Sequence, residues 1–207
     1  MSLSMMYGTI GFLLASYSVI GNDSAQTLGT FISSNSKKIK WYWLWAFASS
    51  ILAATLLYGW SQNDIAFGRL DSIPLPKQFY WYHAVAPALL LSLTRFGIPV
   101  STTLLTLSAF SSGLILEKII KEEHKRYWSV AQWASTGFLW FMWLSHDIAN
   151  VFVYLPREGI TLTTMFGVIT VLVIGLAHLF YTNGGRIQEI VLSKSGTRFI
   201  RSACIID

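Results

Sequence analysis

The sequence predicts an all-α polytopic membrane protein, and three observations predict it. Charged residues make up only 12% of the 207 residues, about half the roughly 25% usual for soluble domains. Hydrophobic residues make up 53% and the mean hydropathy is +0.50. The charges are clustered, leaving long uncharged runs without the period-two alternation of outer-membrane strands. In lipid, such runs satisfy their backbone groups only as helices.

These figures exclude a disordered chain and a coiled coil, and they argue against a soluble enzyme, because so few charges cannot cover a solvated surface. The lone Cys204 excludes an internal disulfide and a cysteine-rich metal site. A net charge of +5 would suggest nucleic acid in a soluble protein. Here it fits basic loops at the cytoplasmic face, and no nucleic-acid partner is expected. The length allows about six helical crossings at roughly 20 residues each.

The elements follow from the charges. No charge precedes Asp23, and the N-terminal stretch lacks a basic n-region and an A-x-A-like site, so it reads as a retained helix. Lys37, Lys38 and Lys40 form a basic patch. Trp41 to Asn63 is an uncharged run opening on Trp-Tyr-Trp, an interfacial aromatic belt. A polar loop with Pro74 and Pro76 follows, then the largely apolar segment 79–117, interrupted by Arg95. That segment is long for one span, and a spanning helix plus a re-entrant piece fits it. Glu117 to Arg126 is densely charged and reads as a solvated helix end. Tyr127 to Pro156 contains one formal charge, Asp147, and Gly159 to Gly185 contains none. The tail from Arg186 is amphipathic and basic. Lysines and arginines concentrate in 35–40, 118–126 and the tail, which places these inside.

Three polar interruptions fall within apolar segments. The first is Gly21-Asn22-Asp23-Ser24-Ala25-Gln26. A carboxylate at membrane depth costs roughly 2.5–3.5 kcal/mol on insertion scales, although Asp23 could also cap a helix near the interface. The second is Gly97-Ile98-Pro99-Val100-Ser101-Thr102-Thr103. Proline and glycine break a helix, and Ser101, Thr102 and Thr103 then occupy the first turn of the next, where unpaired amides favour an oxyanion. The plain alternative is a kink whose hydroxyls bond back to carbonyls. The third is Ser145-His146-Asp147-Ile148-Ala149-Asn150, which repeats the first in outline as polar–Asp–x–Ala–polar. Interrupted helices in both halves are the sequence pointer to a secondary transporter's central site.

These residues resemble the inorganic phosphate transporter (PiT) family, whose motifs read G-A-N-D-V-A-N-A in each half and P-V-S-T-T-H after the first. The likeness covers essentially the whole chain and includes Gly184-Gly185-Arg186-Ile187-Gln188-Glu189. Gln26 and His146 stand where the family usually has Asn, and Leu104 where it has His.

The resemblance implies an inverted-repeat secondary transporter with discontinuous helices. Residues 1–126 would form the first repeat and 127–207 an incomplete second one. It implies symport of inorganic phosphate with sodium, or with protons, in a multi-pass protein of the plasma (inner) membrane, without an enzymatic reaction. A homo-oligomer is compatible with it. Ser101, Thr102, Thr103, Asn22 and Asn150 would bind phosphate. Asp23, Asp147 and Gln26 would bind the cation, because ionised carboxylates repel phosphate and hard oxygen ligands suit Na⁺. His146 and Arg95 are further candidates. A satisfied interhelical histidine and a snorkelling arginine are the plainer readings of these two. Sulfate or another oxyanion would suit the same hydroxyls. A second Pro-x-Ser-Thr-Thr element, expected later in the family's order, does not occur before Asp207. The sequence therefore reads as about one and a half repeats, truncated or completed by another chain.

Overall fold

The computed structural model describes residues 2–71, 76–95, 125–156, 159–185 and 188–189, leaving aside the side chains of 90, 93–95 and 125–128. Every regular element among the described residues is helical. In order these are α1 (Leu3–Ser18), a π-helical stretch (Val19–Ser24), α2 (Ala25–Thr27), α3 (Gly29–Asn35), α4 (Trp41–Ser61), a 3-10 turn (Trp81–Ala84), α5 (Val85–Arg95), α6 (Lys125–Asp147), α7 (Ala149–Phe152) and α8 (Leu162–Tyr181).

Among the described residues, three helices are long and apolar enough to cross a membrane: Leu3–Thr27, Trp41–Ser61 and Leu162–Tyr181. With 25, 21 and 20 residues they reach at least ~30 Å at about 1.5 Å per residue, the thickness of a hydrocarbon core. Their starts are set locally. Ser2 Oγ accepts from Met5 N at 3.2 Å, and Thr161 Oγ1 accepts from Thr164 N at 3.2 Å, each supplying a partner to an amide that the first helical turn leaves free. Large apolar side chains face outward around the bundle, including Leu13 on α1, Phe138 on α6, and Phe166 and Ile174 on α8. Water would penalise a perimeter of this kind, whereas acyl chains match it.

Helix α4 is the spine. Leu44, Ala48, Leu52 and Leu56 recur every fourth residue and are fully or almost fully buried, so they form one stripe. The core around them includes Trp140 and Leu144 of α6, and Met165, Leu172 and Leu176 of α8. Tryptophan indoles then tie the helices together. Trp45 Nε1 donates to Val173 O at 3.0 Å, Trp60 Nε1 to Ile160 O at 2.8 Å, and Trp140 Nε1 to Ala48 O at 3.0 Å. Trp41 also meets Tyr181 edge to face, with ring centroids 5.7 Å apart. The start of α4 therefore lies beside the end of α8, and the two run antiparallel.

Polar pairs fix α3 to α6. Asn35 Nδ2 donates to Gln132 Oε1 at 2.9 Å, and Gln132 Nε2 donates to Ser34 Oγ at 2.6 Å. All three side chains are buried. This bonding brings segment 35–40 and the first turns of α6 to one end of the bundle. Beside them Phe31, Phe47 and Trp133 make an aromatic cluster with centroids 4.7–5.4 Å apart.

Most of the expected elements have structural counterparts. The uncharged run Trp41–Asn63 is α4, the run Gly159–Gly185 contains α8, and Tyr127–Pro156 contains most of α6 and all of α7. Segment 79–117 is represented by the 3-10 turn and α5, and its remainder lies outside the described residues.

Ala48 leaves room for the Trp140 indole, so enlarging it should be costly. Ala48→Leu is expected to destabilise the bundle by about 1–3 kcal/mol through overpacking. Ala54→Leu, on the exposed side of the same helix, should be near neutral. Unfolding measured in detergent or bicelles checks the contrast.

Candidate functional site

The first polar interruption is a π-helical stretch within an otherwise α-helical span. Residues Val19–Ser24 widen the helix between α1 and α2. A second break follows at Leu28, with φ −94° and ψ 0°. Single π turns inside α-helices occur frequently at functional sites. Asp23 lies within this stretch, not at a helix start, so it does not act as an N-cap.

The side chains form a chain of bonds. Gln26 Nε2 donates to Asn22 Oδ1 at 3.0 Å, and Asn22 Nδ2 donates to Asp23 Oδ1. Thr27 Oγ1 donates to Asp23 O at 3.0 Å, taking up a carbonyl of the altered turn. Asn22 is buried, while Asp23 and Gln26 are half-buried. The Asn22 amide orients the carboxylate and is itself oriented by Gln26. The carbonyl of Gln26 and the remaining lone pairs of Asp23 are oxygen donors of the kind a hard cation needs. Ser24 Oγ is buried beside this group without a hydrogen-bond partner.

Neighbouring helices hold the stretch. Ser18 Oγ donates to Pro87 O of α5 at 2.9 Å. Ile20 packs against Gly175 of α8, where an added Cβ would lie 3.4 Å away. Helix α2 touches α6.

The third interruption falls where α6 ends at Asp147; a turn at Ile148 precedes the short α7. Asp147 is half-buried. Asp147 acts on Asp23 only as the weakest of its electrostatic influences, after burial and the Asn22 bond, and Arg69, from the 61–78 loop, lies near enough to attract Asp147. Two like charges in an apolar bundle call for a counter-charge. The arginine supplies part of it, and a bound cation would supply more.

The other candidates are placed differently. His146 and Asn150 are exposed on either side of the Ile148 turn, whereas their counterparts Asn22 and Gln26 are buried and half-buried. The repeated elements therefore share a helix interruption and an aspartate but not the surrounding packing. Ser145 Oγ donates to Met142 O at 2.7 Å, which commits the hydroxyl to its own helix. Arg95 is the last residue of α5, and its side chain lies outside the described residues. Ser101, Thr102 and Thr103 also lie outside them. Among the described residues, no three or more of His, Cys, Asp and Glu group closely enough to hold a metal ion. Any cation site here would have to use amide, hydroxyl and main-chain oxygens with the aspartates.

One participant escaped sequence reasoning. Gln188 is buried, and its Nε2 donates to Gly29 O at 2.6 Å. A Cβ at Gly29 would collide with its Oε1. Gly184, at φ +85°, packs on the same side chain, 2.5 Å from Gln188 Cβ if a Cβ were added. The tail is thereby clamped to the segment directly following the first interruption. Only the resemblance of 184–189 to a family segment hinted at it. Arg69, in a loop without a motif, left no signal.

No protein-family model matches the chain, and neither a curated protein nor a solved structure is significantly similar to it.

Gly29→Ala should push Gln188 from its position and cost about 1–3 kcal/mol. Gly29→Ala with Gln188→Ala should cost clearly less than the sum of the single changes. A double-mutant cycle on unfolding in detergent measures the coupling, and additivity would dissolve the clamp.

Proposed function

We propose that this chain acts as an inorganic phosphate symporter of the inverted-repeat type, coupled to sodium or protons, in the plasma membrane. The observation that carries the reading is the placing of two aspartates: Asp23, held by Asn22 in a π-helical stretch just before α2, and Asp147, at the end of α6, the helix on which α2 packs. These residues come from two similar sequence elements far apart in the chain, and each lies at or beside a helix interruption. The resemblance of the same elements to the PiT family supports the phosphate assignment.

The chemistry follows from charge. Asp23 and Asp147 repel an anion, so they serve the coupling cation. Asn22 and Gln26 hold the Asp23 carboxylate in position and add carbonyl oxygens. With the cation bound, the local negative charge falls and phosphate can approach. Ser101, Thr102 and Thr103 would meet it with hydroxyls and first-turn amides, for which helix starts are suited. Each ligand then raises the affinity of the other by the same factor, which is the thermodynamic content of symport. Asn150 and His146, exposed next to Asp147, would contact phosphate as it enters or leaves.

Radiolabelled phosphate uptake into proteoliposomes tests the reading. A sodium or proton gradient should drive uptake, and excess sulfate should compete poorly. Strong sulfate competition would move the assignment to another oxyanion, and failure of both gradients would remove it.

Asp23→Asn and Asp147→Asn should each abolish cation-driven uptake while the protein remains folded, as judged by helical content and monodispersity. Uptake at the unmodified rate in either variant would sink the role of that aspartate.

Ser101→Ala combined with Thr102→Ala should weaken phosphate affinity by about tenfold or more, since hydrogen bonds to charged groups contribute ~1.5–3 kcal/mol. Sodium affinity measured without phosphate should change little. An unchanged phosphate affinity would favour the plain-kink reading.

A further inference from the structure

The corner between α3 and α4 carries features that transport does not use. Lys37, Lys38 and Lys40 are all exposed. No aspartate or glutamate occurs between Asp23 and Asp64, so their charge is uncompensated in sequence. Immediately after them Trp41, Tyr42 and Trp43 project outward, with Trp43 62% exposed. Lys40 Nζ lies 5.8 Å from the centre of the Tyr42 ring. Tyr181 completes the surface through its edge-to-face contact with Trp41.

The start of α4 adds to this. Lys40 is the N-cap residue, and its side chain makes no capping bond. Trp43 N–H donates to the Lys40 carbonyl at 3.0 Å, and the corner stands at the end of a 21-residue helix whose dipole favours negative charge.

The opposite end of the bundle serves as an internal contrast. Tyr80, Trp81 and Tyr82 are exposed there as well, so both ends have amphipathic rings. Yet Arg69 and Lys77 at that end are accompanied by Asp64 and Asp71, all exposed. Its aromatic belt is nearly neutral, and the α3–α4 belt is cationic. Aromatic rings alone anchor a helix at headgroup depth whatever the lipid. Three lysines beside such rings select for a negatively charged phosphodiester, at about 1 kcal/mol per basic residue near an anionic surface.

We propose that the Lys37–Trp43 corner, with Tyr181, is a binding surface for anionic phospholipid in the adjoining leaflet. The headgroup phosphate sits against the lysines and the start of α4, and the acyl chains descend along the apolar perimeter. The proposal requires that the chain lie in a bilayer, but not that it transport phosphate.

Native mass spectrometry of the purified full chain in detergent tests it, with equimolar phosphatidylglycerol and phosphatidylcholine of matched acyl chains. The unmodified protein should retain phosphatidylglycerol over phosphatidylcholine by about tenfold or more. Lys37→Gln/Lys38→Gln/Lys40→Gln should bring retention close to parity, and Lys38→Glu alone should lower the preference severalfold. Lys77→Gln, at the opposite end, should leave it unchanged, and excess inorganic phosphate should not strip the lipid. Equal retention by the unmodified protein would overturn the proposal. So would a preference surviving the triple substitution, an equal loss in Lys77→Gln, or displacement by phosphate. None of these outcomes bears on uptake, so the transport reading stands or falls separately.

Discussion

A polar group buried in an apolar bundle has no water to turn to, and the indole N–H groups of Trp45, Trp60 and Trp140 meet that constraint in the same way. Each donates to a main-chain carbonyl outside its own helix. An α-helical carbonyl already serves its own helix, but its second lone pair is free to accept. The bonds therefore join elements without opening them. They set how α6 and α8 stand against α4. The aliphatic stripe of α4 then fills the space so defined, and Ala48 is small where the Trp140 indole crosses. Moving α8 along α4 would break two of these bonds together.

The same constraint explains why the interruptions are rich in side-chain bonding. A π turn alters the regular backbone ladder, and Thr27 takes up a carbonyl there. Ser18 reaches across to α5, while Gln26 donates to Asn22 and Asn22 to Asp23. A carboxylate can occupy this position because Asn22 bonds it and Gln26 in turn holds Asn22. The second element solves a similar problem more simply, by ending α6 and turning at Ile148. Its outer residues, His146 and Asn150, remain exposed. A shared sequence outline thus gives two different local environments, one enclosed and one open.

Much of the helical layout was legible because it is a matter of composition and punctuation. The charge-free run from Trp41 fixes α4 to within two residues at its end, and Asn22–Asp23 and Asp147 mark two of the places where a helix is interrupted. The kind of interruption was less legible. Aspartate commonly caps helices, so its local preference suggested a terminus, whereas packing against α5 and α8 accompanies a widened turn. Least legible were the pairs that sequence distance separates. Asn35 with Gln132, and Gln188 with Gly29, are uncharged polar residues without a local pattern, and only the folded chain brings them together. That an aspartate marks each interruption could be read from the repeated outline, but the attraction of Arg69 for Asp147 could not.

The Gln188 clamp has a consequence for the order of events during synthesis. Its bond to Gly29 spans 159 positions, so the segment following the first interruption waits for nearly all of the described chain before it acquires that partner. Other contacts form sooner, since α1 packs on α5, and α4 on α6 and α8, all of them complete before Gln188. The Gly29 carbonyl, however, receives the Gln188 amide only when the ribosome has passed the Gly184–Gly185 turn. Nascent chains arrested before that point would lack the bond at Gly29. A protease or a folding factor that reads loose segments near Gly29 could therefore tell an unfinished chain from one extended past Gln188.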